Sequence, residues 1–332
     1  MTTENMVQRR DVLRTAAGAG LGLLGAGSVW AQASAWPTKP VNLVVPFPAG
    51  GGTDAFARPL AAQFSKATGK TLVIDNRGGA GGTVGASFAA RAAADGYTLF
   101  MGGVHHSIAP AMYPKLDYDI EKDFIPLALL ARVPQVLVVN PKTPSANFKQ
   151  FLDHVKKNPA KLNYGSAGAG TSHHLAGELF KIQSGTFITH IPYRGAGPAL
   201  NDTVAGQVPM IFDNLPSALP FIKDGRLVPI VVAAPQRLAV LPNVPTFKEV
   251  GLEPVNRMAY YGIYGPKGLP KEVVDKVSAA VRKTLEDPAV KKRIEDTGSL
   301  IVANSPEQFA AQIKAEFDVY KKVVEKQKLS LE

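Results

Sequence analysis

The sequence predicts an α/β protein in which two βαβ domains enclose a ligand cleft and are joined by a hinge. Short β-branched strands alternate with helical segments from residue 41 onward, which is typical of βαβ units and mostly parallel sheets. The pattern starts again near residue 130, and one strand and two long helices follow after residue 250. We therefore expect a chain that begins in one domain, visits a second domain and returns, so that two linkers cross the cleft.

The individual elements follow from apolar periodicity and from glycine, proline and capping residues at their ends. In the first part of the chain we predict strands at 41–45, 71–75 and 97–101 and helices at 55–68 and 83–93. In the middle part we predict strands at 126–130, 135–139, 162–164, 187–191, 208–212 and 228–233 and helices at 148–158, 171–184 and 198–205. After the return we predict a strand at 260–264 and helices at 271–285 and 305–326, the last with a capping box at Ser305. The domains predicted from this order are 36–131 plus 240–332, and 132–239.

Residues 1–35 have the composition of a signal peptide. Arg9 and Arg10 precede a small apolar stretch at 15–30, and two Ala-x-Ala cleavage sites follow within residues 31–35. The paired arginines indicate the twin-arginine export route, although Gln8 and Val12 stand where Ser or Thr and Phe are usual. A membrane anchor is the alternative, but the stretch is shorter than the ~20 strongly apolar residues that a span needs. We therefore expect a soluble protein in the periplasm.

Composition excludes several classes of function. The chain has no cysteine, so disulfides, thiolate metal sites and cysteine nucleophiles are absent. Its formal net charge is +10, of which +9 lies after residue 35, and this favours anionic partners. The lysine pairs lie in helical segments that also contain acids, which is typical of solvated helix faces. A nucleic-acid partner is therefore not expected.

Two glycine-rich loops follow strands and precede helices, one in each predicted domain. Their sequences are PFPAGGGTD at residues 46–54 and GSAGAGT at residues 165–171. Each would present main-chain N–H groups at a helix N-terminus, where a carboxylate or phosphate binds well. Two ordinary strand-to-helix turns are the alternative. If the two loops face each other across a cleft, they can hold one anion between them.

Further polar residues stand at the ends of predicted strands in the second domain. Arg194, in a turn with Tyr193, can bind a carboxylate through two hydrogen bonds or can form a surface ion pair. Asp213 ends another strand and can accept a hydrogen bond from a ligand ammonium or hydroxyl group, or can hold a loop in place. These three residues complete the set that the sequence alone indicates.

Two other functions remain open at this stage. Ser166 could act with a histidine as an exported hydrolase, although Tyr164 stands where the nucleophile motif requires glycine. The histidine pairs 105–106 and 173–174 could bind zinc, but no His-rich tract or acidic cluster accompanies them, so capping and cleft-lining roles are favoured. The loop at 79–84 lacks the third glycine of a dinucleotide motif, and no phosphate-binding lysine follows these loops. No cofactor, metal or catalytic residue is predicted.

The chain resembles the receptors of tripartite tricarboxylate transporters, which include the Bug proteins of Bordetella-type bacteria. The resemblance runs in order from about residue 37 to the C-terminus and is specific only as a whole. It is carried by the segments VPFPAGGGTD at 45–54, NRGGAGG at 76–82, DGYTL at 95–99, KDF at 122–124, YGS at 164–166, GTSH at 170–173, HIPYRG at 190–195 and VLPNVPT at 240–246.

This resemblance implies a periplasmic-binding-protein fold that closes around a small organic anion, such as a di- or tricarboxylate, an acidic amino acid or an aromatic acid. It also implies docking on a small and a large membrane subunit, although a signalling role is an alternative. The family's two loops bind the ligand carboxylate, partly through water. Those roles correspond here to Phe47, Ala49, Gly50, Gly51, Thr53 and Asp54 in the first loop, and to Ser166, Gly168, Gly170 and Thr171 in the second.

Two departures from the family pattern concern the predicted pocket. The segment after the third strand is HHSIAP at residues 105–110, with Ala109 in place of the usual asparagine. We include His106 and Ser107 from this segment among the expected ligand-binding residues. The common Trp-Gly pair before the last helices is replaced by Tyr261 and Gly262. Both changes are expected to alter which acid is bound.

Overall fold

Two mixed β-sheets with helices packed on them organise the chain in the computed structural model, which describes residues 36–329 and 331. Residues 36–38 belong to an N-terminal unit whose other residues, including the predicted signal peptide, lie outside the described range. The unit that begins at Lys39 contains both sheets. Its strands are β1 (Val41–Val45), β2 (Leu72–Asn76), β3 (Thr98–Gly103), β4 (Phe124–Val133), β5 (Gln135–Val139), β6 (Asn163–Ser166), β7 (Thr189–Pro192), β8 (Met210–Asn214), β9 (Val228–Ala233), β10 (Ala259–Pro266) and β11 (Leu300–Ile301).

The helices alternate with these strands through most of the chain. They are α1 (Gly52–Thr68), α2 (Thr83–Ala90), α3 (Val104–Met112), α4 (Phe148–Lys157), α5 (Ser172–Ser184), α6 (Ala196–Ala205), α7 (Leu215–Lys223), α8 (Lys271–Glu286), α9 (Pro288–Glu295) and α10 (Pro306–Gln327). The predicted capping box at the start of α10 is confirmed, because Ser305 and Gln308 each bond the other's main-chain N–H. Among the described residues, no helix is long and apolar enough to cross a membrane.

Each sheet belongs to one lobe. The first sheet has the strand order β11-β4-β10-β3-β1-β2, and we call it the first lobe together with α1, α2, α3, α8, α9 and α10. The second sheet has the order β7-β6-β8-β5-β9 and forms the second lobe with α4, α5, α6 and α7. The chain enters the second lobe between Val133 and Gln135 and returns between Ala233 and Ala259. Two crossings therefore join the lobes, although the predicted domain limits themselves stay a prediction.

The expectation of mostly parallel sheets is wrong. Strand β1 is parallel to β2 and β3, but β10 is antiparallel to both of its neighbours, β3 and β4. In the second sheet β6 is parallel to β7 and β8, whereas β5 is antiparallel to β8 and β9. Strands β5 and β10 begin just after a crossing, so each enters its sheet from the other lobe and not through the helical crossover that joins parallel strands. The short edge strand β11 is also antiparallel to its neighbour β4.

Three helices were missed by the sequence analysis: α3, α7 and α9. Proline occurs in each, at Pro110 in α3, at Pro216 and Pro220 in α7, and at Pro288 in α9. Proline usually ends helices, but in the first turn it is tolerated because its missing N–H would have no intrahelical partner there. Two of these helices, α3 and α7, begin directly at the ends of strands β3 and β8, and this position brings their first turns to the cleft.

Candidate ligand-binding cleft

Two helix N-termini from different lobes meet across the cleft. Helix α1 begins after Gly51 and α6 begins after Gly195, and within the described part of the chain neither start has a side-chain cap. A Cβ added at Gly51 would lie 3.7 Å from the Cβ of Ala196 and 3.9 Å from the nitrogen of Gly197. The first N–H groups of a helix have no intrahelical acceptor and carry partial positive charge. These facing first turns therefore form a place for an anion.

A second pair of helix starts is joined by a hydrogen bond. His105, in the first turn of α3, accepts at Nδ1 from the main-chain N–H of Ser172, the first residue of α5, at 3.0 Å. The hydroxyl of Thr171 caps α5 by accepting from the N–H of His174 at 3.4 Å. Helix α3 starts from Gly103, whose N–H donates to Nδ1 of His106 at 3.1 Å. The two lobes are therefore bonded to each other at this end of the cleft.

Buried polar side chains lie between these helix starts, and we call the following five the polar cluster: His105, His173, Asp213, Asn214 and Tyr261. Nε2 of His173 lies 3.7 Å from Oδ1 of Asp213, and the rings of His105 and His173 are 5.5 Å apart. The amide nitrogen of Asn214 donates to the hydroxyl of Tyr261. All five side chains are at most 2% exposed.

Several atoms of the polar cluster have no hydrogen-bond partner among the described residues. These atoms are both ring nitrogens of His173, Oδ1 of Asp213 and Oδ1 of Asn214. A buried polar atom without a partner is costly, by roughly 1–3 kcal/mol, and such atoms are rare in folded proteins. These unpaired donors and acceptors between the two lobes can form hydrogen bonds with a polar ligand.

Burial shifts the protonation of this cluster. It lowers the pKa of His173 to about 4 and the pKa of His105 well below its usual value, to which the neighbouring His173 and His106 also contribute. Burial raises the pKa of Asp213 to about 7, against the opposite effect of hydrogen bonds from Ser217 and the main chain of Asn214. Both histidines are therefore neutral at neutral pH. Asp213 is the group that changes charge there.

The hydrogen bond of His105 determines its tautomer. Nδ1 of His105 accepts from the main-chain N–H of Ser172, which can only donate, so the ring proton of His105 is assigned to Nε2. Nδ1 of His106 lies 3.1 Å from the nitrogen and 3.2 Å from the carbonyl oxygen of Gly103, which fits either neutral tautomer. Burial also lowers the pKa of His106 to about 4. Both side chains are then neutral donors. The cleft therefore combines main-chain N–H groups and imidazole donors with one titratable carboxyl group.

The first predicted loop lies on this cleft. Phe47 packs with Ala167 and Ala196 of the second lobe in a buried apolar cluster, and its ring centroid is 5.1 Å from that of His105. Ala49 and Gly50 are exposed, whereas Gly51 and Thr53 are buried. The predicted residues of this loop are thus brought to the junction of the lobes. Phe47 provides an apolar wall there.

Asp54 has a supporting place in this loop. Its Oδ2 accepts from the N–H of Gly50 at 3.0 Å and from Nε of Arg58 at 2.8 Å. Its Oδ1 accepts from Nη2 of Arg58 at 3.1 Å and from the amide of Asn76 at 3.4 Å. The carboxylate is therefore fully occupied in holding the loop. Its charge is balanced by Arg58.

The second predicted loop is folded onto itself more tightly than the sequence indicates. The N–H of Gly168 donates to Oγ of Ser166 at 3.0 Å, the N–H of Gly170 donates to Nδ1 of His174 at 3.2 Å, and the N–H of Thr171 donates to the carbonyl of Gly168 at 3.3 Å. These three groups already have acceptors, so they are not available to an anion in this arrangement. The predicted ligand-binding role of this loop stays a prediction.

The remaining predicted residues differ in where they lie. The hydroxyl of Ser107 is buried and bonds that of Tyr260 at 2.6 Å inside the first lobe, away from the polar cluster. The hydroxyl of Tyr193 donates to Asp202 at 2.7 Å within its own lobe. Arg194 is exposed and forms no ion pair among the described residues. It precedes Gly195, where an added Cβ would lie 2.7 Å from Pro48 of the first lobe, so Arg194 stands at the rim of the cleft.

The sequence analysis missed several residues that the structure brings together. His105, His173, Asn214 and Tyr261 were not selected, although the histidine pairs were assigned to capping and cleft-lining positions. Another missed contact joins the lobes, because the hydroxyl of Tyr113 donates to the carbonyl of Ala169 at 2.9 Å. The signals available were the polar residues at the ends of strands, such as Asn214 directly after Asp213.

Comparison with known proteins identifies the family. A family model described as the tripartite tricarboxylate transporter family receptor matches residues 56–329. The chain belongs to this receptor family. Its relatives include a protein from the tcbD-tcbE intergenic region of Pseudomonas sp. strain P51, which is 34% identical over 325 residues, or 98% of this chain and 96% of that protein. Protein BugT of Bordetella pertussis is 31% identical over 295 residues, or 88% of this chain and 90% of BugT.

Solved structures of related proteins resemble this receptor along nearly its whole described length. A periplasmic transporter is 45% identical, with a TM-score of 0.88 and coverage of 90% of this chain and 100% of that chain. A protein of R. palustris solved with adipate is 34% identical, with a TM-score of 0.86 and coverage of 89% and 100%. MatC of Rhodopseudomonas palustris, solved with bound malate, is 35% identical, with a TM-score of 0.83 and coverage of 87% and 100%. The predicted family and the predicted periplasmic-binding-protein fold are thereby confirmed.

The hydrolase alternative receives no support from these relatives, which are solute-binding receptors. In this receptor Oγ of Ser166 does lie 2.6 Å from Nε2 of His190. However, Ser166 is fully buried, and its hydroxyl also accepts from the N–H of Gly168. The ring of His190 is stacked against those of His174 and Tyr164, at 4.1 Å and 4.9 Å between centroids. The pair therefore stabilises the loop.

The zinc-binding alternative is likewise not supported by the described residues. Within the described residues no group of three or more histidine, aspartate or glutamate side chains is arranged to hold a metal ion. The rings of His105 and His173 lie nearly perpendicular to each other, and Nδ1 of His105 is occupied by the N–H of Ser172. The histidine pairs of this receptor instead join helix starts.

Proposed function

We propose that this chain is a receptor that captures a small carboxylate-containing solute in the cleft between its lobes. The observation that carries the proposal is the pair of uncapped helix starts, α1 and α6, that face each other beside the buried polar cluster. One carboxylate of the ligand lies at these starts, where main-chain N–H groups and helix dipoles stabilise negative charge. The relatives solved with adipate and malate support a small organic acid as the ligand.

The predicted binding residues take different roles in this proposal. Gly51 and Thr53 lie at the start of α1 and bind the carboxylate directly, together with the first turn of α6. Phe47 contacts the apolar part of the ligand, and Arg194 attracts the acid at the rim. Ser166, Gly168, Gly170 and Thr171 shape the second loop through the hydrogen bonds described above.

The polar cluster binds the other end of the ligand. Asp213 and His173 have atoms without partners, and His105 offers an Nε2 proton. A hydroxyl, an ammonium group or a protonated second carboxyl group donates to Asp213, while a carboxylate accepts from the imidazoles. This arrangement favours an acid with a second polar group over a simple fatty acid.

The receptor acts outside the cytoplasm and without catalysis. Residues 1–35 direct export through the twin-arginine route, and the mature protein works in the periplasm. Residues 36–131 plus 240–332 and residues 132–239 move as two domains around the two crossings. The closed form then docks on the small and the large membrane subunits of the transporter, which move the solute inward.

Thermal unfolding with candidate acids tests the proposal. Protein freed of co-purified ligand by unfolding and refolding is heated with di- and tricarboxylates, acidic amino acids and aromatic acids. Each acid is paired with its uncharged amide, which keeps the shape and removes the charge. At least one acid is expected to raise the unfolding midpoint while its amide does not, and chromatography should recover that acid chemically unchanged. Stabilisation by amides as strong as by acids would contradict the anion site.

The export part has its own test. Mass spectrometry of protein from a periplasmic extract should give a mature chain that begins at Ser34 or Trp36, after one of the two Ala-x-Ala sites. Replacing Arg9 and Arg10 by lysines should abolish this product if the twin-arginine route is used. A full-length chain in the cytoplasmic fraction of the unmodified strain would refute export.

A further inference from the structure

We propose that this receptor has a second oxyanion-binding site at the hinge, separate from the ligand cleft. The site is a cavity of about 270 Å³ beside the two crossings that join the lobes. Its polar lining consists of Arg132, Asn256, Arg257, Glu316 and Tyr320. None of these residues belongs to the polar cluster or to the two glycine-rich loops.

The charge at this cavity is unbalanced. Arg132 is paired with Glu316, whose Oε1 lies 3.2 Å from Nη2 of the arginine. Arg257 forms no ion pair with any described residue, and its Nε is buried without a hydrogen-bond partner. Both Arg132 and Arg257 act electrostatically on Glu316, so one carboxylate faces two guanidinium groups. The wall of the cavity therefore carries one unbalanced positive charge.

An oxyanion matches the guanidinium group of Arg257 in both charge and shape. The planar guanidinium group presents parallel N–H donors that match two oxygens of a carboxylate or phosphate. The ring of Tyr320 lies 5.9 Å from the guanidinium carbon of Arg257 and limits the directions that the side chain can take. The cavity volume admits inorganic phosphate or a carboxylate of a few carbons.

The position of the cavity gives the site a consequence for lobe movement. Arg132 lies in β4, next to the start of the first crossing. Arg257 lies at the end of the second crossing, just before β10. The two crossings are bonded, because the amide of Gln135 donates to the carbonyl of Arg257 at 3.3 Å. Asn256 also bonds both the N–H and the carbonyl of Ala234, at 3.1 Å and 2.8 Å. An anion held here contacts both crossings, so its affinity depends on the angle between the lobes.

Linkage then couples the two sites in both directions. If closure changes the affinity of the hinge site for an oxyanion, the oxyanion changes the affinity of the cleft for its acid by the same factor. The coupling rests on the proposed function, whereas the existence of the hinge site does not. Binding of phosphate to protein that holds no cleft ligand tests the site on its own.

Titration calorimetry of the full mature chain with inorganic phosphate, at constant ionic strength, measures the site. Arg257→Gln removes the unpaired charge and is expected to weaken phosphate binding at least tenfold. Arg226→Gln is the matched control, because it removes the same charge from an exposed arginine paired with Asp224 on the second lobe. The control should bind phosphate as the unmodified protein does. Equal affinity in Arg257→Gln and the unmodified protein, or no binding at all, would overturn the proposal.

Two further arms define the site. Arg257→Lys keeps the charge but not the planar pair of donors. It should bind phosphate more weakly than the unmodified protein and more tightly than Arg257→Gln. It also replaces Arg257→Gln in the test if that variant does not fold. Thr53→Val alters the cleft and should leave phosphate binding unchanged. If phosphate binds more weakly to Thr53→Val but normally to Arg257→Gln, the phosphate lies in the cleft and the hinge site is refuted. Acetate titrated in place of phosphate shows whether carboxylates share the site, and competition between the two supports a common oxyanion site.

Discussion

His105 and Ser172 join the two lobes at the end of the cleft, through a hydrogen bond of 3.0 Å from the serine N–H to Nδ1 of the histidine. Because His105 is buried, its loss leaves that N–H without an acceptor. We expect His105→Ala to weaken binding of the acid identified by the thermal screen by roughly tenfold or more, since an unsatisfied buried donor costs about 1–3 kcal/mol. Titration calorimetry measures the change. His154→Ala, on helix α4 away from the cleft, is the control and should bind normally.

A methyl group between the two facing helix starts should block the anion. A Cβ at Gly51 would have its nearest contact at 3.7 Å, so Gly51→Ala is expected to fold normally while it fills the space between α1 and α6. We expect this variant to lose most of its affinity for the acid. Gly165→Ala adds the same methyl in the second lobe with a nearest contact of 3.5 Å and should keep normal affinity. Normal binding by Gly51→Ala would place the carboxylate elsewhere.

Most of the fold is readable from the sequence because its signals are local. Strand β1, for example, is a β-branched run that ends at Pro46, and its predicted bounds of 41–45 are those observed. The orientation of strand β10 is not readable, since it depends on which lobe the chain has come from. Helix α7, which was not predicted, contains two prolines, and one of them occupies its first turn.

The candidate site, like the fold, can be predicted from the sequence only in part. The start of helix α1 is visible as a run of glycines before Thr53, because a backbone that approaches a ligand needs small residues at successive positions. The polar cluster is not visible, since His105, His173 and Tyr261 come from distant segments and meet only when the lobes pack. The bonds that occupy the N–H groups of Gly168 and Gly170 also depend on side chains placed by the fold.

The charge of Asp213 should control how binding depends on pH. Burial raises its pKa to about 7, so it is mostly neutral one pH unit below that value and mostly ionised one unit above it. An ionised Asp213 repels a second carboxylate beside it, and we expect the affinity for a dicarboxylate to fall by up to about tenfold over this interval, as the competent fraction falls. Titration calorimetry on both sides of neutrality measures the change. Asp213→Asn should bind with nearly constant affinity across the same range, and an equally steep decline in that variant would assign the effect to another group.

The buried histidines should make the protein sensitive to acid. Burial lowers the pKa of His106 and of His173 to about 4 and that of His190 to about 3, whereas an unfolded histidine titrates near 6.5. Between these values the unfolded chain binds more protons at these sites, so the free energy of unfolding falls as pH falls below about 6.5. Asp213 has the opposite sign, because its native form keeps a proton that the unfolded chain releases between pH 3.8 and about 7.

Urea unfolding from about pH 7 down to about pH 5 separates these contributions. The pKa values of His105 and His174 are lowered as well, so five histidines outweigh one aspartate and we expect the unfolding midpoint to shift to lower urea concentration as the solution becomes more acidic. Asp213→Asn removes the opposing contribution of this aspartate and should therefore lose stability more steeply than the unmodified protein over the same interval. An unchanged slope in that variant would show that Asp213 takes up no proton in the folded protein over this interval, which would contradict the raised pKa of its buried carboxyl group.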